Sequence, residues 1–298
     1  MYHHPVLLED SINALVENEG GIYVDCTFGG GGHSRKILSK LSDSGKLYSF
    51  DQDLDALKNE IKDERFTLIN QNFRFLENSI MLYGITKVDG ILADLGVSSH
   101  QFDEAQRGFS TRMNGPLDMR MNVMQSLNAQ KVINEYEEEN LADIFYNYGE
   151  LREARKLARE IVHQRKNKKI ENTEDLKKIF HFIPPHKANK FFAQVFQAIR
   201  IEVNQELDAL KDMLVQAHRI LKPGGRLVVI SYHSLEDRLV KRFLKNGMFE
   251  GEPKRDIYGN YKKYFSLLKS KAIVPTEEEI EQNPRARSAK MRVGIKES

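Results

Sequence analysis

Four consecutive glycines, Gly29–Gly32, follow an aspartate in "DCTFGGGGHSR", residues 25–35. Such a run removes Cβ atoms from one bend and lets backbone N–H groups approach a ligand closely. Helix-forming sequence comes next, and a helix N-terminus favours negative charge. The combination could hold a nucleotide, a nucleotide-derived cofactor, or nothing beyond an awkward turn. Two later acids could serve the same place: Asp51 in "YSFDQD" and Asp94 in "ADLG". Asp51 stands about twenty residues past the loop, where an acid can accept hydrogen bonds from ribose hydroxyls. "SYHSLED", 231–237, adds Tyr232 and His233.

Both common phosphate signatures fit poorly. A phosphate-binding loop ends in Lys-Ser/Thr, whereas His33-Ser34 follow here. A G-x-G-x-x-G/A fingerprint opened at Gly29 meets Ser34, and opened at Gly30 it meets Arg35. NAD-type binding, and with it an oxidoreductase, is weakened on the same ground.

These residues need elements to position them. The first third alternates strand and helix signals: strands at 21–28, 45–53, 66–73 and 88–96, helices at 33–42, 54–63 and 75–84. Alternation with short links predicts right-handed crossovers and a parallel sheet. In such a sheet, ligands bind beyond the carboxyl ends of the strands. Residues 104–125 read as loop and 128–181 as polar helix. Apolar steps of three and four over 189–221 predict one long helix or two nearly collinear ones, stopped by "KPGG" at 222–225. A fifth strand at 226–234, a helix at 235–246 and a final edge strand at 289–297 follow; 247–283 is ambiguous. The fold class is α/β: a doubly wound, mainly parallel sheet (1–104 and 201–298) interrupted by a helical insertion (105–200).

Composition is that of a globular chain, with 40% hydrophobic and 30% charged residues. No apolar run could span a bilayer, and the N-terminus lacks the marks of a signal peptide. One cysteine, Cys26, excludes an internal disulfide and points to a reducing cytoplasm; it reads as a small buried residue. No His/Cys/Asp cluster has metal-ligand spacing, and the adjacent His3 and His4 would point apart. Net charge is only +2, but it is unevenly spread. Residues 1–103 carry 16 acidic and 9 basic side chains, whereas 222–272 carry 5 and 12. The stretch 150–169 holds eight Lys/Arg against three acids. Such asymmetry suggests a polyanionic partner.

Glycine loop, acid after strand two, polar-aromatic end of strand three and Asp after strand four resemble a class I, Rossmann-like, S-adenosylmethionine-dependent methyltransferase. Longer stretches sharpen the likeness: "HHPVLLEDSI", "DLGVSSHQFD", "RGFS", "GPLDMRM", "FQAIRIEVNQEL", "LKPGGRLVVISYHSLEDRLVK" and "RARSAKMR". In order and nearly end to end, they are similar to the bacterial small-subunit (16S) ribosomal RNA (cytosine-N4)-methyltransferase family. Residues 122–190 and 247–283 carry less of it. The resemblance implies S-adenosyl-L-methionine as cofactor, contacted by Gly31, Gly32, His33, Asp51, Phe73, Asp94 and Gln101. Gly30 occupies a position that varies in the family. The partner implied is small-subunit ribosomal RNA or the small ribosomal subunit, without a membrane; a homodimer stays open.

The implied reaction moves a methyl group to a cytidine amine whose lone pair is delocalised into the ring. Asp94 is the candidate for orienting that amine, by accepting an N–H hydrogen bond. His233 is a second catalytic candidate. Reaching the base requires unstacking it, for which Phe109 and Tyr232 are candidate sandwiching residues. Arg107, Arg112 and Arg120 could grip phosphates. A non-catalytic RNA-binding assembly factor on the same fold is the alternative from another class. Methylation of a DNA amine is disfavoured, because "DLGV" stands where an (S/D/N)-P-P-(Y/F) tetrapeptide would be.

Overall fold

A computed structural model describes residues 5–259 and 261–298; His3 and His4 lie outside them. The chain divides into two units, Met1–Gly96 with Leu207–Ser298, and Val97–Glu206.

The first unit is built on strands β1 (Ile22–Asp25), β2 (Lys46–Asp51), β3 (Phe66–Asn70), β4 (Val88–Asp94), β5 (Leu221–Ser231), β6 (Phe265–Leu267) and β7 (Lys290–Lys296). Their order is β3-β2-β1-β4-β5-β7-β6. The first five run parallel, and β7 pairs antiparallel with both β5 and β6. The central strands are apolar on both faces, as a sheet covered by helices on both sides requires. Side chains alternate between faces along a strand. Val24, Ile91, Ala93, Leu227 and Val229 join one core with Leu210, Met213 and Leu214 of the helix Glu206–Ile220 and with Val240 and Phe243 of the helix Ser234–Asn246. Tyr23, Leu92, Val228 and Ile230 join the other, with Ile12 and Leu15 of the helix Leu8–Leu15 and Ile37 of the helix Gly32–Leu38. Helices on both faces make the sheet doubly wound, and the order reverses between β1 and β4. That switch point is where the glycine loop emerges.

Three expectations need correction. The helix expected at 54–63 is a single 3₁₀ stretch, Leu54–Asn59. Only Ala56 within it is buried, so little apolar face sustains a longer helix. The strand expected to start at 226 begins at Leu221, with Pro223 and Gly224 forming an irregular segment opposite Val88–Gly90. It ends at Ser231, which puts Tyr232 and His233 in the turn to the next helix. The strand at 290–296 is not an edge; the three-residue β6, too short to carry a pattern, lies outside it. Of the two forms expected over 189–221, the structure has two helices, Pro185–Asn204 and Glu206–Ile220, broken at Gln205 by a left-handed φ of 50°.

The second unit is helical. Helices Ala129–Glu135, Glu138–Asn147, Ala154–Arg165, Thr173–Ile179 and Pro185–Asn204 enclose Val132, Phe145, Leu157, Ile161, Val195 and Ile199. It begins earlier and ends later than the expected 105–200. Helix Ala154–Arg165 buries Leu157, Ala158 and Ile161 and turns Arg155, Lys156 and Arg159 to solvent. No helix among the described residues is long and apolar enough to cross a membrane.

Candidate active site

Parallel register sets the geometry. Asp25, the last residue of β1, pairs with Ser49 of β2 and Leu92 of β4. Asp51 and Asp94 each lie two residues beyond those partners, so three carboxylates project from neighbouring strand ends.

Asp25 is fully buried and was not singled out by sequence. Its Oδ1 accepts the Thr27 N–H (3.0 Å) and its Oδ2 the Ser34 hydroxyl (2.6 Å); Ser34 in turn meets the Ser49 hydroxyl at 2.8 Å. Asp25 therefore ties both ends of the glycine loop to the strand it leaves. Asp51 holds the middle: its Oδ2 accepts the Gly29 N–H (2.8 Å) and its Oδ1 the Asp53 N–H (2.9 Å). Burial pushes its carboxyl up to about 6 against the pull of those two N–H groups. A carboxylate has about four lone-pair sites, so each oxygen can accept again.

Inside the loop, Gly29 and Gly31 take φ values of 50° and 75°, which favour glycine. A Cβ on Gly31 would press on Phe28 and Arg35, and one on Gly32 would overlap Pro5. A Cβ on Gly30 would meet nothing within 4 Å. Open space at Gly30, between two glycines in left-handed conformations, leaves room for a ligand against the backbone. The first-turn N–H groups of Gly32, His33 and Ser34 have no intrahelical acceptor by the geometry of a helix start. Carboxylate acceptors on one side and backbone donors on the other suit a ligand with hydroxyls, an amino group and a carboxylate.

Asp94 closes the site from β4. Its N–H donates to Thr27 Oγ1 (2.7 Å), and its Oδ1 accepts the Tyr232 hydroxyl (2.7 Å). His33, also buried, has Nε2 3.1 Å from the Val6 carbonyl. A carbonyl only accepts, so Nε2 carries a proton. Nδ1 then faces Asp94 Oδ2 at 3.7 Å. A bare Nδ1 there sets two acceptors against each other, and a proton on either group makes the contact attractive. Burial raises the Asp94 carboxyl to about 6, although His33 and the Tyr232 hydroxyl pull it down. Its side chain keeps 21% exposure, a window for a substrate. Burial, with the Asp94 charge, holds the Tyr232 phenol well above its usual value, so Tyr232 stays a neutral donor.

Tyr232 is positioned by Glu236, a buried acid at the start of the helix Ser234–Asn246 that the sequence does not mark as a site residue. Its Oε2 accepts the Tyr232 N–H at 2.9 Å and the His233 N–H at 3.4 Å. The His233 ring has its Nε2 3.2 Å from Glu236 Oε1. Tyr232, expected to sandwich a base, also bonds Asp94 through its hydroxyl. The N-terminal segment was also missed. Pro5 rests on Gly32, Val6 fixes the His33 ring, and the Leu7 N–H donates to Glu279 Oε1 at 2.6 Å.

Other expected residues fall elsewhere. Phe73 is half-buried at the turn after β3. Cys26 is buried, and burial lifts its thiol well above 9, which makes it inert. In the helical unit, Gln101 caps the helix Ser99–Asp103, its side-chain oxygen accepting the Ser98 N–H at 3.0 Å. Phe109 is core, packed with Leu117 and Met119, so it cannot stack on a base. Arg107 donates to the Arg120 and Met121 carbonyls, and Arg120 pairs with Asp118 at 2.7 Å and bonds the Val123 and Gln125 carbonyls. Both brace the loop, which replaces the expected phosphate contacts. Arg112 is exposed.

A model described as the MraW methylase family matches residues 1–297. The chain belongs to that family. It is 58% identical over 296 residues to the ribosomal RNA small subunit methyltransferase H of Flavobacterium johnsoniae, covering 99% of this chain and 98% of that one. The protein of the same name from Parabacteroides distasonis is 56% identical over 297 residues, with 99% and 97% covered. Among solved structures, an rRNA methylase from Streptococcus thermophilus aligns with a TM-score of 0.39 and 14% identity, covering 97% of this chain and 92% of that one.

Two predictions follow from the packing and the charges. Gly32→Ala should cost about 1–3 kcal/mol of stability and Gly30→Ala close to nothing; equal denaturation midpoints would refute the difference. Asp94→Asn should be more stable than the wild type. The native carboxyl titrates near 6 and the unfolded one near 3.8, so ionisation disfavours the folded state as pH rises between them. The advantage should grow from about pH 4 to 6, reach about 1–3 kcal/mol, and level off above. Urea titrations at several pH values read it, and a pH-independent difference would contradict it.

Proposed function

We propose that the chain transfers a methyl group from S-adenosylmethionine to the exocyclic N4 amine of a cytidine in small-subunit ribosomal RNA. The observation that carries this reading is the end-to-end identity of 58% to a ribosomal RNA small subunit methyltransferase H. The strand-end carboxylates around a glycine cradle give it a chemistry. When bound, S-adenosylmethionine supplies a methyl carbon activated by its sulfonium. The loop N–H groups bind the carboxylate of the methionine end, and Asp51 accepts the ribose hydroxyls. Phe73 and Gln101 remain in the reading as further contacts of the donor.

Asp94 orients the acceptor. An ionised carboxylate accepts one amine N–H and turns the nitrogen lone pair out of the ring. Aligning nitrogen, methyl carbon and sulfur as a whole can contribute on the order of 7–11 kcal/mol, of which the Asp94 contact is one part. Tyr232 fixes the carboxylate so that it need not reorganise. As the N–C bond forms the amine becomes acidic, and Asp94 is placed to receive its proton. His233 is assigned no proton transfer, because its described contacts lead to Glu236. The helical insertion binds RNA through the exposed face of Arg155, Lys156 and Arg159, with Arg112 as a further cation. We place the protein in the cytoplasm, and the reading requires no second copy.

Labelled methyl transfer to protein-free small-subunit RNA and to isolated small subunits, followed by nucleoside analysis, tests this directly. N4-methylcytidine is the expected product; label in another nucleoside, or in none, would refute it. Asp94→Ala should lower kcat by about 10²–10⁴-fold. Asp51→Ala should instead weaken donor affinity by about tenfold or more. Calorimetry that finds unchanged affinity would remove Asp51 from the donor site.

A further inference from the structure

The stretch 247–263 contributes nothing to the site above, yet it is built with care. It leaves the helix Ser234–Asn246 at Gly247 and is pinned back to it twice. The Arg242 guanidinium donates to the Gly251 carbonyl at 3.0 Å, and the Tyr261 hydroxyl to the Lys245 carbonyl at 3.1 Å. Between these pins lies a tight turn. The Gly259 N–H donates to the Asp256 carbonyl (3.0 Å), and the Tyr258 N–H to Asp256 Oδ1 (2.9 Å). Arg255 closes it by donating to the Gly259 carbonyl at 2.9 Å, its guanidinium 5.0 Å from the Tyr261 ring centre. The turn thrusts two apolar side chains into water: Ile257 is 91% exposed and Tyr258 82%.

The anchored turn holds an isoleucine and a tyrosine out of the core, where a partner could reach both. Its surroundings say which kind. Lys254, Arg255, Lys262 and Lys263 are exposed in the same stretch, and Lys241 and Lys245 are exposed on the helix to which it is pinned. Two apolar side chains are far too few for the apolar centre of a stable protein–protein interface. One aromatic ring among cations is enough for an unpaired base: the ring stacks and the cations take the phosphates.

We infer that the turn Asp256–Gly259 is an RNA-docking finger, with Tyr258 stacking on an unpaired base of the substrate RNA and the surrounding lysines and arginines holding its backbone. This rests on the reading that ribosomal RNA is the substrate. It adds a contact on the sheet-bearing unit, separate in sequence from the basic helix of the insertion.

The test is direct binding of the full-length protein to protein-free small-subunit rRNA and to assembled small subunits, by filter retention. Tyr258→Ala should weaken binding to both about tenfold, the size of one lost base stack. Tyr258→Phe should bind as the wild type, and the unfolding midpoints of both variants should match it, because the side chain touches no core. Unchanged affinity of Tyr258→Ala for protein-free rRNA would overturn the inference. A loss confined to assembled subunits would overturn it too, in favour of a ribosomal protein as the partner. Wild-type protein that binds rRNA through Tyr258 yet transfers no methyl group would instead sink the enzymatic reading and leave this contact standing.

Discussion

Three like charges at neighbouring strand ends are the constraint on which the rest is built. In the order β2-β1-β4, Asp51, Asp25 and Asp94 stand in a row, and burial, with a smaller push from Asp25, raises the carboxyls on either side. Water is largely excluded, so other groups must offset the repulsion. The donors come from short sequence distances: Thr27 and Ser34 for Asp25, Gly29 and Asp53 for Asp51. Asp94 draws on a more distant segment, Tyr232 at the end of β5, and has His33 Nδ1 3.7 Å from its other oxygen. Folding the glycine loop is thus the same event as satisfying the carboxylates.

The balance stays incomplete. Asp51 and Asp94 are still raised to about 6, so the site is negative at neutral pH only at a cost in stability. A ligand with a positive sulfonium relieves that cost, which accounts for acids where a phosphate-binding site would place donors or cations. The tolerance of Gly30 and intolerance of Gly32 have one source: Pro5 covers the second and nothing covers the first.

Much of this was legible in sequence. Alternating apolar strands and Gly/Pro stops marked the sheet, and Asp51 and Asp94 stood at strand ends that periodicity could locate. What stayed hidden depends on tertiary pairing. That Asp25 anchors the loop follows only once Ser34 and Ser49 meet, and Glu236 looked like an ordinary helix-start acid until its carboxylate was seen to hold Tyr232. Arg107, Phe109 and Arg120 looked available because sequence cannot tell a braced loop from an open one. The three residues of β6 carry too little pattern to be seen at all.

The central claim is that the site takes the donor with both carboxylates ionised, Asp51 holding its ribose and Asp94 facing its sulfonium while it orients the acceptor. Calorimetric titration with S-adenosylmethionine across pH 5 to 8 tests it most directly. Both carboxyls titrate near 6, so affinity should be steady above about pH 7. It should fall by about tenfold per pH unit below 6 for each carboxylate that must ionise. Affinity unchanged down to pH 5 would contradict the account.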